Sequence, residues 1–242
     1  MRRNNNSARE GSRGGHSKPA SMKGRKLANR LPHLSPNVDG SYTSDVKGRT
    51  RSKKAGSLYQ VFNTAGVHVF TVPSGVDTIT VTAIGAGGGA ADGNASGGKT
   101  SNGGGGGAEV TATFTEIPPY TQITFNVGAG GASSAYTTHA ANGGDTTFRY
   151  LGFGYTAGGG CGGLRAHASG TGGTGGVATG PAKSTLVQGN AGHKGFNQIG
   201  PGCGGVGQLA PNGQTYGYGA SSGNGANGWS GAIGGVGAVI IS

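Results

Sequence analysis

The sequence predicts an all-β protein: an antiparallel, jelly-roll-like sandwich whose glycine-rich loops pack as polyproline-II-type helices, preceded by a basic arm. Three observations carry this reading. Apolar and threonine residues alternate at period two through much of the chain from Leu58 onward, the mark of antiparallel sheet with one wet face. Fifty-seven of the 242 residues are glycine, and in places glycine recurs at every third position. The charge is divided, since fourteen Lys and Arg against three acids lie between Arg2 and Lys54, while five cations balance five acids from Ala55 onward. The whole formal charge of +11 therefore belongs to the first fifth of the chain.

Residues 1–57 form the arm. They hold no periodic apolar pattern and cannot bury enough surface to offset their ordering entropy, so disorder is expected when unbound. The cations fall in two blocks, Arg2, Arg3, Arg9, Arg13, Lys18, Lys23, Arg25, Lys26 and Arg30, then Lys47, Arg49, Arg51, Lys53 and Lys54. Between them, residues 31–46 carry no cation and two prolines, the composition of an extended clip against a partner protein or of a plain spacer. The arm has no aromatic residue beyond Tyr42, so sequence-nonspecific phosphate binding is expected in place of base stacking. Fully extended, it reaches at most roughly 180 Å.

The β-domain spans residues 58–242, with strands expected over 58–156 and 236–241 and a glycine-rich bundle over 157–235. A strand from Val67 turns at Pro73-Ser74-Gly75 and returns as a second from Thr78 to Ala83, which dissolves into a glycine loop at Gly85. Strands follow over 109–115 and 122–127, joined by a turn at Pro118-Pro119-Tyr120, then over 146–150, 153–156 and 238–241. Glycine density and β-branched residues oppose any helix. Glycine at positions 170, 173, 176, then 189, 192, 195, then 225, 228, 231, 234, 237 has the period of the three-residue polyproline-II turn. Proline is absent from these runs and their phase breaks, which excludes collagen and leaves short extended helices side by side, or a mobile linker.

The chemistry of sites is sparse. The six histidines form no metal spacing, and no phosphate-loop or nucleophile-elbow motif occurs, so neither enzyme activity, a metal nor a cofactor is expected. Cys161 and Cys203 sit in similar glycine settings that permit a disulfide, although a reducing assembly compartment favours free thiols. No apolar run approaches the ~20 residues of a membrane span, and none follows Arg2-Arg3 as an export signal would require. Aromatics and a histidine that interrupt glycine loops, namely Tyr136, His139, Tyr216, Tyr218 and Trp229, are candidates for stacking on a receptor, or for plugging the ends of the bundle.

The segment VFNTAGVHVFTVPSGVDTITVTAIGAGGGA resembles the opening of glycine-rich domains in bacteriophage tail fibres and other receptor-binding proteins, through Phe62, Gly66, Phe70, Val72, Pro73, Gly75, Val76, Gly85, Gly87, Gly88 and Gly89. Gly143-Gly144-Asp145-Thr146-Thr147-Phe148 and the closing Gly-Ala-Val-Ile-Ile also fit. The resemblance implies glycine loops that recognise a host or form polyglycine-II bundles. A basic arm on a compact β-body is similar instead to icosahedral capsid and spike proteins, whose arms reach packaged nucleic acid. Together these imply a virion structural protein assembled in the host cytoplasm, a vertex spike or penton. Its expected partners are the viral genome, the major capsid protein, a host-surface receptor and further copies of itself as a pentamer or trimer. A tail-fibre adhesin and a nucleic-acid-binding protein outside any virion are the alternatives.

Overall fold

The computed structural model describes residues 34–36, 42–44, 58–92, 102–135, 137–164, 172–193, 205–210, 213–221 and 231–242. Within the cation-free stretch of the arm, β1 (Leu34–Pro36) and β2 (Tyr42–Ser44) pair antiparallel. The body is a sandwich of two five-stranded antiparallel sheets with no helix among the described residues. Its strands are β3 (Gln60–Phe62), β4 (Gly66–Thr71), β5 (Ile79–Ile84), β6 (Glu109–Phe114), β7 (Gln122–Val127), β8 (Thr146–Tyr150), β9 (Phe153–Ala157), β10 (Ala178–Thr179), β11 (Thr185–Val187) and β14 (Ala238–Ile241). A two-stranded hairpin of β12 (Gln208–Leu209) and β13 (Thr215–Tyr216) accompanies them. One sheet has the order β10-β9-β8-β7-β4, the other β11-β6-β5-β14-β3.

Period-two alternation sets which side chains face inward. Phe125 and Phe148 of the first sheet pack against Ile79, Val81, Val110, Val239 and Ile241 of the second. Phe148 stacks on Tyr155 with ring centroids 4.3 Å apart, and Phe114 closes on Tyr150 at 4.5 Å. The closing strand β14 enters between β3 and β5, fully buried along its length. A smaller cluster of Ile84, Ala210, Tyr216, Ala238 and Ile240 forms on the other face of the second sheet, where the β12–β13 hairpin contributes Tyr216.

Two expectations change. The turn at Pro73-Ser74-Gly75 does not close a hairpin, because β4 and β5 belong to different sheets. Val76 donates to the Pro73 carbonyl at 3.3 Å and Gly75 holds φ +84°, a type II turn that needs glycine at its third position. The turn serves as a corner from one sheet to the other, and the connection from β6 to β7 through Pro118-Pro119-Tyr120 does the same. In β4, apolar residues lie on both sides of the strand. Phe70 is buried, whereas Val67 and Val69 face solvent on what is the edge strand of its sheet.

The true tight hairpin joins β8 to β9, where Tyr150 pairs with Phe153 across Leu151 and Gly152, both at positive φ. That is the geometry of a type I′ turn, which favours Asn-Gly. Leu151, 77% exposed at φ +50°, carries the cost of a side chain in the left-handed region without burying it. Leu151→Asn is expected to raise unfolding stability by about 1 kcal/mol. Urea unfolding checks this, and an unchanged midpoint would contradict it.

Candidate functional site

The glycine segments are the ends of the sandwich strands, continued in another backbone form. Ten extended rods result among the described residues: 85–91 after β5, 102–108 before β6, 128–134 after β7, 140–144 before β8 and 158–163 after β9, then 172–177, 189–193, 205–207, 217–221 and 231–237. Where the β-branched run of β5 ends at Ile84, Gly-Ala-Gly-Gly-Gly begins and the backbone turns from twofold to threefold.

The hydrogen bonds of the rod 85–91 show the threefold repeat directly. Gly85, Gly88 and Ala91 donate to the carbonyls of Ala108, Gly105 and Asn102 at 2.9, 2.9 and 3.0 Å. Ala86 and Gly89 donate to Gly144 and Ala141, while Gly87 and Ala90 donate to Gly235 and Ala232. In return its carbonyls accept from Gly160 and Gly163, from Gly131 and Ser134, and from Ala220. This rod therefore has six neighbours, as in hexagonal packing.

The rod 102–108 is a second centre. Gly103 and Gly106 donate to His193 and Asn190, Gly104 and Gly107 to Ala220 and Gly217, Gly105 and Ala108 to Cys161 and Gly158. Its carbonyls accept from rods 85–91, 172–177 and 205–207. Two adjacent points of a hexagonal lattice have eight outer neighbours, and the other eight rods fill those places. They follow one another around the pair in chain order, each joined to the next, and 231–237 closes the ring by donating from Gly234 to Gly131.

Among the described residues no large apolar side chain is buried within the rods, so the bundle's balance is narrow. Ordering a backbone costs roughly 1–2 kcal/mol per residue, most for glycine. Each lateral hydrogen bond returns about 0.5–1.5 kcal/mol net, and close Cα–H···O contacts add about 0.5–1 more. The two sides nearly cancel. The sandwich strands therefore supply the margin that holds the rods in register. Around the outside, where lattice neighbours are missing, polar side chains stand in for carbonyls. Asp145 Oδ1 accepts from the Gly159 N–H and Asn142 Oδ1 from the Gly162 N–H, both at 2.8 Å and again three residues apart.

The bundle also explains where glycine is obligatory. A Cβ at Gly88 would overlap the Cys161 carbonyl, at Gly105 that of Thr174, and at Gly107 that of Gly85. The period-three glycines meet the same restriction: a Cβ at Gly173 would meet Cys161, at Gly189 Gly106, and at Gly234 Gly87. The bundle is wider than the expected 157–235, since its two central rods come from the glycine loop at 85–107.

The body has two poles. The chain enters β3 at Leu58–Tyr59 and leaves β14 at Ser242 on the sandwich pole, beside the corners at Pro73–Gly75 and Pro118–Tyr120 and the turn at Leu151-Gly152. The five connections between paired rods, after residues 92, 134, 163, 193 and 221, leave from the opposite pole. Rods of seven residues span about 20 Å and strands of six about 20 Å, so some 40 Å separate the poles.

The arm cations from Arg2 to Lys54, and Tyr136 and Trp229, lie outside the described residues. His139 is exposed, between rods 128–134 and 140–144 at the far pole. Tyr216 is a correction. It is buried against Ile84 and Ile240, with its hydroxyl donating to Gln214 Oε1 at 2.6 Å, and is not available to a receptor. Tyr218 is half exposed, but on the flank of the bundle, its ring over Gly235. Cys161 is a free, partly buried thiol in rod 158–163, while Cys203 lies outside the described residues.

Glu109 stands at the junction of bundle and sheet, flanked across the sheet by Val187 and Ile84. Burial pushes its pKa above the ordinary value of 4.5, partly offset by a hydrogen bond from the Thr111 hydroxyl. A carboxyl whose pKa rises on folding favours the fold while protonated and opposes it as pH climbs past the unfolded value. Glu109→Gln should therefore stabilise the protein at pH 7, with the gain vanishing below pH about 4. Thermal unfolding across pH checks the sign; a loss at pH 7 would refute it.

A sandwich whose strand ends run out into interlocked glycine rods defines a class, the glycine-rich β-domain. The chain belongs to the family described as a glycine-rich domain, which it matches over residues 63–241. No curated protein matches the sequence.

Proposed function

We propose that this protein is a virion structural component, a vertex spike or penton of a phage capsid. Its basic leader contacts the packaged genome or the inner shell, and its glycine-rich domain stands outside for host attachment. The single observation that carries the reading is the polarity of the body: the leader joins one pole and the rod connections leave from the other. A leader with a net charge of +11 on a body of net zero confines phosphate binding to that pole. The cation-free stretch 31–46 would lie where the leader crosses the major capsid protein. Further copies would gather about a symmetry axis as a pentamer or trimer. The host receptor would meet the far pole, with His139 there and Tyr136 and Trp229 in connections that begin there.

A second reading, a tail-fibre-type adhesin with the leader as an assembly peg, is favoured by the FTVPSGV motif and the membership of the glycine-rich domain family. A nucleic-acid-binding protein outside any virion is the third. Trypsin treatment of intact particles distinguishes them. The proposal expects the leader to survive until the shell is opened. A leader clipped from intact particles while the genome stays packaged would place it outside and sink the proposal.

A further inference from the structure

The outer face of the bundle is not uniform. Rods 205–207, 217–221 and 231–237 are adjacent, joined by the Gly219 N–H to Gly205 and the Gly235 N–H to Tyr218. Across them and the start of the neighbouring hairpin, five large apolar side chains point outward: Val206 (68% exposed), Leu209 (69%), Tyr218 (51%), Ile233 (64%) and Val236. Each rod buries its glycines inward and presents its third-position side chain to solvent, so Ile233 and Val236 stand one turn apart on one rod, while Val206 lies on the rod that runs into β12 and its exposed Leu209. On the opposite flank, rod 140–144 presents Ala141 and Asn142, and rod 172–177 presents Thr174 and a single large apolar side chain, Val177. Lateral packing of glycine rods does not itself call for several large apolar groups on three adjacent rods.

We propose that this face docks a second copy of the chain. Five such side chains offer on the order of 500 Å² of apolar area, in the upper part of the roughly 300–600 Å² of a monomer's largest patch, which is often functional. Adding a polar rim brings it to the roughly 800 Å² per partner of a stable interface. The body carries no net charge and none of the five residues bears a charge at neutral pH, so two copies meet without repulsion and without a charge pattern that would select a different partner. The rods are held by lattice hydrogen bonds on both sides, which keeps the cost of ordering the surface low. The inference rests on the homo-oligomer part of the proposed function and not on genome binding, so the two fail separately.

The test is the solution mass of the full chain, freed of nucleic acid, by sedimentation over a range of concentrations. The wild type should sediment as a multiple of 23.5 kDa. The variant carrying Leu209→Glu and Ile233→Glu, both at exposed positions, should sediment as a monomer at equal concentration, its apparent dissociation constant raised at least about a hundredfold by two desolvated carboxylates. Its unfolding midpoint should match the wild type, which separates lost docking from lost folding. Val67→Glu, on the edge strand β4, should leave the assembly intact. A monomeric wild type, or an assembly that persists in the double variant, overturns the proposal, as does one that Val67→Glu dissolves.

Discussion

Gly88→Ala is expected to destabilise the protein by about 4 kcal/mol or more, beyond the 1–3 kcal/mol usual for an overpacked core. An ordinary core relieves an extra methyl by turning a side chain. Here the added Cβ meets the carbonyls of Cys161 and Gly160, which belong to backbone. Clearing them requires rods 85–91 and 158–163 to separate, and both also bond to 102–108 and 140–144. One methyl therefore opposes a row of hydrogen bonds. Gly154→Ala supplies the contrast, since that glycine sits in β9 with nothing within 4 Å of an added Cβ. It should be neutral or gain about 0.5–1 kcal/mol through the lowered entropy of the unfolded chain. Chemical unfolding of both variants checks the pair, and equal effects would mean that the rods do not pack as described.

The second large effect concerns the leader. Duplex DNA titrated with the full chain should show affinity falling roughly 10³–10⁵-fold between 50 and 200 mM salt, as for six to ten neutralised phosphates. Replacing Lys47, Arg49, Arg51, Lys53 and Lys54 by glutamine should flatten the log–log slope by about 0.9 for each phosphate no longer neutralised. Because the leader has almost no aromatic residues, affinity should change little with base sequence. Binding that ignores ionic strength would remove the genome from the proposal while leaving the fold and the docking face untouched.

The long strands were legible because six residues of alternating apolar and threonine character leave little doubt about period. The segments at 79–84 and 122–127 needed only that, while 238–241 was legible from its continuous apolar run. Which sheet each joined was not legible. The corner at Pro73-Ser74-Gly75 has the same composition whether it closes a hairpin or crosses the sandwich. Strands of two or three residues, such as β10, β12 and β13, are too short to show a period at all.

Period three in the later runs pointed to glycine rods, but the centre of the bundle was concealed. In 102–108 the glycines are continuous, and in 85–91 alanines stand among them, so neither shows a repeat of three. The reason is physical. An outer rod needs glycine only where it faces inward, and its third residue is free to be Val206 or Ile233. A central rod faces a neighbour in every direction, and a Cβ is admitted at only a few places such as Ala86 and Ala90. Uninterrupted glycine, which reads as a linker, is here the mark of the most enclosed backbone. Tyr216 misled for a related reason: an aromatic in a glycine-rich segment looks exposed, and its burial depends on a sheet face supplied by Ile84 and Ile240 from distant parts of the chain.

Amide hydrogen exchange, read residue by residue, tests the hexagonal bundle most directly. If rods 85–91 and 102–108 are its enclosed centre, the amides of Gly88, Gly104 and Gly105 exchange as slowly as those of β5 and β14, with an opening free energy close to that of global unfolding. Exchange of those glycines at the rate of an open loop, beside protected strands, would contradict it.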